Sequence, residues 1–159
     1  MVLTGKQCEQ HLTTNGMGKC AQVGYDLTVK SIKKYLSGGC VSLDKTTPAG
    51  LYAISCVDNK YILSPGMYSL TFHQGCKIPS NVKASIVHRS SILRCGGLIT
   101  SGVYDPGFEV EEMGAVLVVF QELIIEKDAR VAQIVMEQCN DVAEEDLYRG
   151  QWQKNKDVK

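Results

Sequence analysis

The sequence predicts an all-β fold, a distorted β-barrel or jelly roll that begins with a short helix. Short apolar or β-branched runs lie between residues 25 and 136, and Gly, Pro, Asn and Asp separate them. No long periodic helix interrupts this series, whereas parallel strands would require crossover helices. We therefore expect antiparallel strands that close around one core.

The helix is predicted at the start of the chain. Thr4 is followed three residues later by Gln7, which is the pattern of a capping box, and then by the apolar residues Cys8 and Leu12. We expect this helix to end near residues 15–16.

The strands are predicted in the order in which their apolar runs occur. Their ranges are 25–29, 51–56, 61–63, 66–72, 82–87, 98–104, 114–120 and 130–136. Turns are predicted at 58–59, 64–66, 78–81 and 105–107, where Pro fixes φ and Gly or Asn accepts a positive φ.

Length and charge limit the possible classes of protein. A chain of 159 residues suits one domain, which we expect over residues 1–138, followed by a C-terminal arm over residues 139–159. Lys plus Arg and Asp plus Glu both number 17, so no broad field of one sign exists. We expect neither nucleic acid nor membrane as a partner, and any anion must be bound locally.

Apolar segments and cysteines indicate the compartment. The longest apolar stretch, near residues 115–120, is far shorter than the roughly 20 residues of a membrane span, and no apolar signal core is present. The seven cysteines include no CxxC pair and lie among apolar residues, which favours reduced structural thiols. A cytoplasmic protein is therefore expected.

Four segments combine polar groups with backbone suited to anion binding. In the first, Asp26 lies in an apolar strand, as either a surface residue or a placed ligand, because an unpaired buried carboxylate is costly. In the second, Arg89, Ser90 and Ser91 precede an apolar pair, which suits a phosphate-binding helical turn or a simple helix cap. His88 is interpreted as structural.

The third and fourth segments lie further along the chain. Asp105, within Asp-Pro-Gly and followed by Phe108, suits a general base beside an aromatic ring, or equally a tight turn. Arg130 and Gln133 lie on opposite faces of an ideal strand, so they could serve one anion only if a bend or bulge intervened.

In this order, the four segments resemble the first four signature motifs of the superfamily of dUTP pyrophosphatases and dCTP deaminases. The resemblance extends from about residue 22 to 137, and residues 1–6 and 62–79 resemble the deaminase branch. It implies the dUTPase-like β-clip fold and a homotrimer with active sites between subunits.

The resemblance also assigns roles to individual residues. It implies that Asp26 organises a Mg²⁺-bound triphosphate, through water, and that Asp105 is the general base. Gly102 and Tyr104 belong to the hairpin expected to read uracil through its backbone. The implied substrate-binding residues are Arg89, Ser90, Ser91, Gly102, Tyr104, Phe108, Arg130, Gln133, Arg149 and Trp152.

One missing residue separates the two branches of the superfamily. The deaminases need a glutamate in the strand after the third motif, but the predicted strand 114–120 has no carboxylate, and Glu111 and Glu112 come too early. The resemblance therefore implies hydrolysis of dUTP to dUMP and diphosphate. The alternatives are a dCTP deaminase, monofunctional or bifunctional, and a catalytically silent regulatory trimer that binds nucleotide.

Two segments depart from the usual pattern. Glu109, Glu111 and Glu112 add negative charge to the third motif, and the Gly-rich fifth motif is absent. In its place, residues 148–153 resemble the tail of deaminase-like members. Trp152 is the single tryptophan, and it either docks on its own barrel or closes as a lid over the base, with Arg149 on phosphate.

Overall fold

The computed structural model describes residues 1–153; residues 154–159, the end of the predicted arm, lie outside the described residues. The helices are α1 (Gly5–Glu9), α2 (Ser90–Arg94) and a 3₁₀ turn (Glu144–Asp146). The strands are β1 (Leu12–Thr13), β2 (Lys19–Cys20), β3 (Tyr25–Tyr35), β4 (Cys40–Val41), β5 (Thr46–Thr47), β6 (Leu51–Ala53), β7 (Lys60–Leu63), β8 (Gly66–Phe72), β9 (Gly75–Lys77), β10 (Val82–His88), β11 (Gly97–Thr100), β12 (Glu109–Val110), β13 (Gly114–Val119), β14 (Leu123–Glu126) and β15 (Arg130–Gln138).

Six of these strands form a closed barrel. They are joined in the order β15-β10-β11-β13-β8-β3, and β3 pairs with β15 to close the ring. Every pairing in the barrel is antiparallel. The predicted all-β barrel is therefore confirmed.

The core lies inside this barrel because side chains alternate along each strand. In β8, Tyr68, Leu70 and Phe72 are buried, whereas Met67 is exposed and the alternate residues Ser69 and Thr71 are only partly buried. Burial of such apolar side chains is the main favourable contribution to folding. The outward positions remain free to form clefts on the barrel surface.

Smaller sheets surround the barrel. β1, β9 and β12 form a three-stranded sheet, while β7 pairs with β14 and β4 pairs with β5. Strands β2 and β6 pair with β3 outside the ring. No helix within residues 1–153 is long and apolar enough to cross a membrane.

The predicted N-terminal helix was correct at its start and wrong at its end. The capping box between Thr4 and Gln7 is present, but the helix stops at Glu9. The chain then turns because Leu12 pairs with Cys76 in β9. A tertiary strand pairing thus replaces the last predicted helical turn.

Several predicted strand ends also differ. The predicted strand 98–104 ends at Thr100, since Ser101 accepts a hydrogen bond from the Ile86 N–H and donates one to the Gly102 carbonyl. The first predicted strand, 25–29, continues to Tyr35 through three lysines that point outward or lie at the surface. Strand 51–56 is shorter, ending at residue 53, and β14 was not predicted.

Candidate functional site

Asp26 is a placed carboxylate rather than a surface residue. Its side chain lies in the middle of the barrel wall on β3 and is only 7% exposed. Arg89 Nε and Arg130 Nη1 lie 3.2 Å and 3.0 Å from Asp26 Oδ2. Gln133 Nε2 donates to Asp26 Oδ1 at 3.4 Å. Two cations and an amide therefore offset the cost of burying the charge.

A β-bulge brings the two residues of the fourth segment together. Gln133 pairs with Asp26 and Arg130 pairs with Thr28, but the register shifts between Arg130 and Ala132. The extra residue, Val131, turns the side chain of Arg130 onto the face of Gln133. The bulge required by the sequence argument is present.

Arg89 contacts this bulge at two carbonyls and Asp26 at a third point. Its main-chain N–H donates to the Val131 carbonyl at 3.1 Å, and its Nη1 donates to the Arg130 carbonyl at 3.1 Å. Its Nε forms the ion pair with Asp26. The side chain therefore fixes the backbone of β15 as well as supplying positive charge.

These residues line a polar surface depression of about 460 Å³, here called the anion cleft. Lys19, Arg89 and Arg130 supply three positive charges against the single carboxylate of Asp26. Exposed Ser90, at the first position of α2, lines the same cleft. The excess of positive charge favours an anion.

Other residues of the second segment have different positions. Ser91 is exposed and does not line the anion cleft, so the structure does not bring it to the other predicted ligands. His88 lines the cleft, and its Nδ1 lies 3.3 Å from the Ile99 carbonyl.

A second depression, the apolar cleft, lies on another part of the barrel and measures about 640 Å³. Its walls come from the outer faces of β8, β11 and β13, from the turn after β11 and from the arm. The lining residues are Tyr35, Ser69, Thr100, Ser101, Gly102, Val103, Tyr104, Phe108, Gly114, Ala115, Val116, Tyr148 and Trp152. None of them is Asp or Glu.

Three aromatic rings form one wall of the apolar cleft. Phe108 packs edge-on against Tyr104, with ring centroids 5.0 Å apart, and against Tyr148, with centroids 5.1 Å apart. The Tyr104 hydroxyl donates to the Gly114 carbonyl at 2.7 Å and accepts from the Gly114 N–H at 3.2 Å. Burial raises the pKa of Tyr104, so this hydroxyl stays neutral.

Asp105 lies apart from the anion cleft of its own chain. It is exposed at the start of a turn in which the Phe108 N–H donates to the Asp105 carbonyl, with Gly107 at φ 87°. The preceding residue, Tyr104, pairs with Ala84 of β10. β10 pairs with β15, and β15 pairs with β3, the strand of Asp26. Strand spacing places Asp105 on the order of 15 Å from Asp26.

The arm docks on the turn that carries Asp105. The Tyr148 N–H donates to the Pro106 carbonyl at 2.9 Å. Gln153 Nε2 donates to the Gly107 carbonyl at 2.9 Å, and its Oε1 accepts from the Glu109 N–H at 3.3 Å. These bonds hold residues 148–153 over the edge of the apolar cleft.

The two predicted residues of the arm differ in position. Trp152 lines the apolar cleft but remains 57% exposed. Arg149 is exposed and donates to the Glu144 carbonyl at 3.2 Å, so it lines neither cleft of this chain.

The added glutamates do not lie beside the anion cleft. Glu109 forms an ion pair with Lys77 at 3.5 Å, and Glu112 pairs with Lys30. All three glutamates line a different, polar depression near β1 and β9. They therefore add no negative charge to the anion cleft.

Sequence reasoning missed several lining residues. Lys19 of β2 lines the anion cleft. Ser69 of β8 and Thr100 of β11 line the apolar cleft, where each pairs with Val116 of β13 from one side. No local motif marks these residues, because only strand register brings them to the clefts. In residues 1–153, no group of three or more His, Cys, Asp or Glu side chains could hold a metal ion.

Known proteins resemble this chain over most of its length. A family model for dCTP deaminase-like proteins matches residues 5–139. The deoxyuridine 5'-triphosphate nucleotidohydrolase of Methanocaldococcus jannaschii is 34% identical over 135 residues, 81% of this chain and 86% of the relative. The probable deoxyuridine 5'-triphosphate nucleotidohydrolase of Methanosarcina acetivorans is 30% identical over 155 residues, 92% of this chain and 90% of the relative.

One solved structure has a similar fold. The 2'-deoxycytidine 5'-triphosphate deaminase from Agrobacterium tumefaciens matches 85% of this chain with a TM-score of 0.63 and 14% identity. The present chain spans about half of that protein, 47% of its length. This likeness supports the fold alone.

Proposed function

The chain belongs to the dCTP deaminase-like family, and from that premise we propose that it hydrolyses dUTP to dUMP and diphosphate. The observation that carries the proposal is the convergence of Arg89, Arg130 and Gln133 on Asp26 beside Ser90. Guanidinium groups and a hydroxyl are suited to the oxygens of a triphosphate. The named relatives at 34% and 30% identity act on deoxyuridine 5'-triphosphate, by their names.

The apolar cleft supports hydrolysis over deamination. Gly114, Ala115 and Val116 are the residues that β13 contributes to this cleft, and none can transfer a proton. Deamination of a cytosine ring requires a proton-transferring group beside the base. A base covered by Trp152 in this cleft, with its deoxyribose packed on Phe108, would therefore be bound without being deaminated.

The separation of the two clefts supports a homotrimer with shared active sites. Asp105 and Phe108 lie far from the anion cleft of their own chain, so a complete site needs the turn of a neighbouring protomer. A closed cyclic assembly supplies such a contact at every interface. In this arrangement Arg149 of the arm would reach the phosphates bound at a neighbouring chain. Ser91 of that neighbouring chain would contact the same phosphates.

The residues fit Mg²⁺ only as a partner of the substrate. Asp26 is the one carboxylate lining the anion cleft, and both of its oxygens already face Arg89, Arg130 or Gln133. Mg²⁺ commonly keeps several waters and binds substrate phosphates with one or two carboxylates. Asp26 would therefore hold it through water, and the ion would neutralise part of the triphosphate charge.

The chemical step uses Asp105 as the general base. Its carboxylate accepts a proton from water while the water oxygen forms a bond to the α-phosphorus. The bond between the α-phosphorus and the bridging oxygen breaks, and diphosphate leaves with that oxygen. Arg89 and Arg130 stabilise the negative charge of the phosphates during this transfer.

The arm over residues 139–159 acts as a lid in this proposal. Tyr148 and Gln153 already hold residues 148–153 of the arm beside the apolar cleft. Trp152 has enough exposed ring to cover a base entering the cleft, while Gly102 would present backbone groups to its edge. The N–H and C=O of Tyr104, which were expected to do the same, are already bonded to the Ala84 backbone.

Product analysis tests the reaction. The protein is incubated with Mg²⁺ and either dUTP or dCTP, and the nucleotides are separated by ion exchange, with Asp105→Asn as the control. We expect dUMP from dUTP, lost in the variant. Deoxyuridine nucleotides formed from dCTP would assign a deaminase, and no product from either substrate would favour a silent binding trimer.

Mixing two inactive variants tests the shared site. Asp26→Asn and Asp105→Asn are unfolded together and refolded as mixed assemblies. If each site combines Asp26 of one chain with Asp105 of another, random mixing restores about a quarter of the wild-type activity. Sites contained within single chains would remain inactive in every mixture.

A further inference from the structure

One edge of β3 has a gap next to Asp26. On this edge β2 pairs with Tyr25 and Asp26, and β8 pairs from Val29 onward. The opposite edge of the same segment is covered by β15. Thr28 therefore lies between two partner strands, and its backbone groups on this edge face neither of them.

Gln74 fills the gap with its side chain. The Thr28 N–H donates to Gln74 Oε1 at 3.0 Å, and Gln74 Nε2 donates to Thr28 Oγ1 at 2.9 Å. The Thr28 carbonyl accepts from the His73 N–H at 3.1 Å. The amide oxygen of Gln74 thus accepts the hydrogen bond that the carbonyl of a neighbouring strand would otherwise accept from the Thr28 N–H.

The surroundings enclose this amide. Gln74 is completely buried, with 0% of its surface exposed. Gly18, at φ 87°, packs so closely that a Cβ there would lie 2.5 Å from the Asp26 carbonyl oxygen and 3.2 Å from Gln74 Nε2. The main-chain carbonyl of Gln74 accepts from the Met113 N–H at 2.8 Å.

Thr28 connects this edge to the anion cleft. It is directly opposite Arg130 at the bulge of β15, and it follows Asp26 by two residues in β3. A shift of Thr28 would therefore move both partners of the Asp26–Arg130 ion pair. A buried N–H without an acceptor is costly, so the strand would move to satisfy it.

We propose that Gln74 is a positioning residue of the anion cleft, which it supports by completing the β3 edge beside Asp26. It touches no substrate and acts through Thr28 on Asp26 and Arg130. This inference rests on the proposed function for its kinetic effect, whereas its effect on anion affinity can be measured without turnover.

The test compares Gln74→Met with two other variants of the full chain. Gln74→Met keeps the length of the side chain and removes both hydrogen bonds. Thr28→Val removes the hydroxyl that accepts from Gln74 Nε2 but keeps the Thr28 N–H bonded to Gln74 Oε1. Leu63→Ala destabilises the fully buried core near β7 and β14, away from this edge, and is the control for lost stability.

Each variant is measured at a temperature at which circular dichroism shows a fully folded protein. For Gln74→Met we expect the dissociation constant of inorganic triphosphate, measured by calorimetry, and the KM for dUTP to rise at least about tenfold. The kcat should fall less than the KM rises. Thr28→Val, which leaves Gln74 Nε2 without its acceptor, should raise both constants but less than Gln74→Met does. Leu63→Ala should stay within about twofold of wild type for both constants.

Unchanged triphosphate affinity in folded Gln74→Met would overturn the proposal, as would an equal loss in Leu63→Ala. If Gln74→Met does not fold, Gln74→Asn replaces it, because the shorter amide withdraws the acceptor from Thr28. Failure of the wild type to hydrolyse dUTP would reject the proposed function, while the triphosphate comparison would still decide the role of Gln74.

Discussion

Arg130 and Gln133 contact the same carboxylate although they stand three residues apart in one strand. Arg130 Nη1 lies 3.0 Å from Asp26 Oδ2, and Gln133 Nε2 lies 3.4 Å from Asp26 Oδ1. An ideal strand would direct the two side chains to opposite faces. The extra residue at Val131 removes that conflict, and Arg89 bonds to the carbonyls of Arg130 and Val131.

Arg89→Lys tests whether this geometry matters in addition to charge. Lysine keeps the positive charge but cannot reach both Asp26 and the Arg130 carbonyl. We expect kcat/KM for dUTP to fall by about 30-fold, or about 2 kcal/mol. Arg94→Lys, on the exposed last turn of α2, is the control and should keep wild-type kinetics. A fully active Arg89→Lys would show that charge alone suffices.

Asp26→Asn removes the carboxylate shared by two guanidinium groups. Arg89 and Arg130 would then repel each other and lose their common orientation. The side chains of Arg89 and Arg130 are about one-third exposed, so solvent weakens their ion pairs with Asp26. The free energy of unfolding should therefore fall by only about 1 kcal/mol. We expect kcat/KM for dUTP to fall by about 100-fold, since misplaced ligands cost orientation of the substrate.

The control for Asp26→Asn is Glu137→Gln. Glu137 pairs with Lys83 at 3.4 Å between β10 and β15, where both side chains are nearly half exposed. Loss of this surface pair should change neither stability nor kinetics appreciably. A similar loss of activity in both variants would contradict a specific role for Asp26.

Trp152 should report closure of the arm. It is the single tryptophan and is 57% exposed, so intrinsic tryptophan fluorescence comes from the arm alone. Binding of a non-hydrolysable dUTP analogue is expected to shift the emission to shorter wavelength and to reduce quenching by acrylamide. Trp152→Phe should abolish the signal and raise the KM. An unchanged spectrum at saturating nucleotide would discard the lid.

Truncation after Leu147 gives an independent measurement of the arm. It removes the contacts of Tyr148 and Gln153 with the turn that carries Asp105. We expect a higher KM or loss of turnover, with the barrel still folded by circular dichroism. Equal kcat/KM in the truncated and full chains would argue against closure.

Phe108→Ala should weaken the preference for deoxyribose. Phe108 is held between Tyr104 and Tyr148 at the wall of the apolar cleft. In the proposed function its ring packs on the deoxyribose, where an added 2′-hydroxyl would clash. We expect the ratio of kcat/KM for dUTP to that for UTP to fall about tenfold. Phe120→Ala removes an exposed ring that does not line the apolar cleft, and it should leave the ratio unchanged.

Cys76 should make stability fall at high pH. Burial raises the pKa of this thiol from 9.0 to about 12. Below about pH 8 the thiol is protonated in both states and adds no pH dependence. Between about pH 9 and 12 only the unfolded chain loses the proton, so the free energy of unfolding falls by up to about 1.4 kcal/mol per pH unit.

Urea unfolding at pH 8, 9 and 10 measures this effect. Cys76→Val should reduce the decline between pH 9 and 10, because its core side chain cannot ionise. Cys40→Val is the control, since the Cys40 thiol is exposed. An identical decline in wild type and Cys76→Val would mean that Cys76 is not protected from ionisation.

Local features of the fold could be predicted from the sequence because neighbouring residues determine them. The Thr4 capping box, the turn at Asp105 and the short strands around Tyr68 all follow from nearby side chains and from alternation. The predicted helix end was wrong because Leu12 has a distant partner, Cys76. The residues around Leu12 show no local sequence pattern that would predict such a distant pairing.

The sequence by itself determined the fold class and the residue types of the candidate site. Only the tertiary structure decided which of them meet: Asp26 joins Arg89, Arg130 and Gln133, whereas Phe108 lines a different cleft and Asp105 is exposed on the turn before it. The buried amide of Gln74 beside Thr28 had no sequence signal at all. The physical reason is register, since one extra residue in a strand changes which side chains share a face.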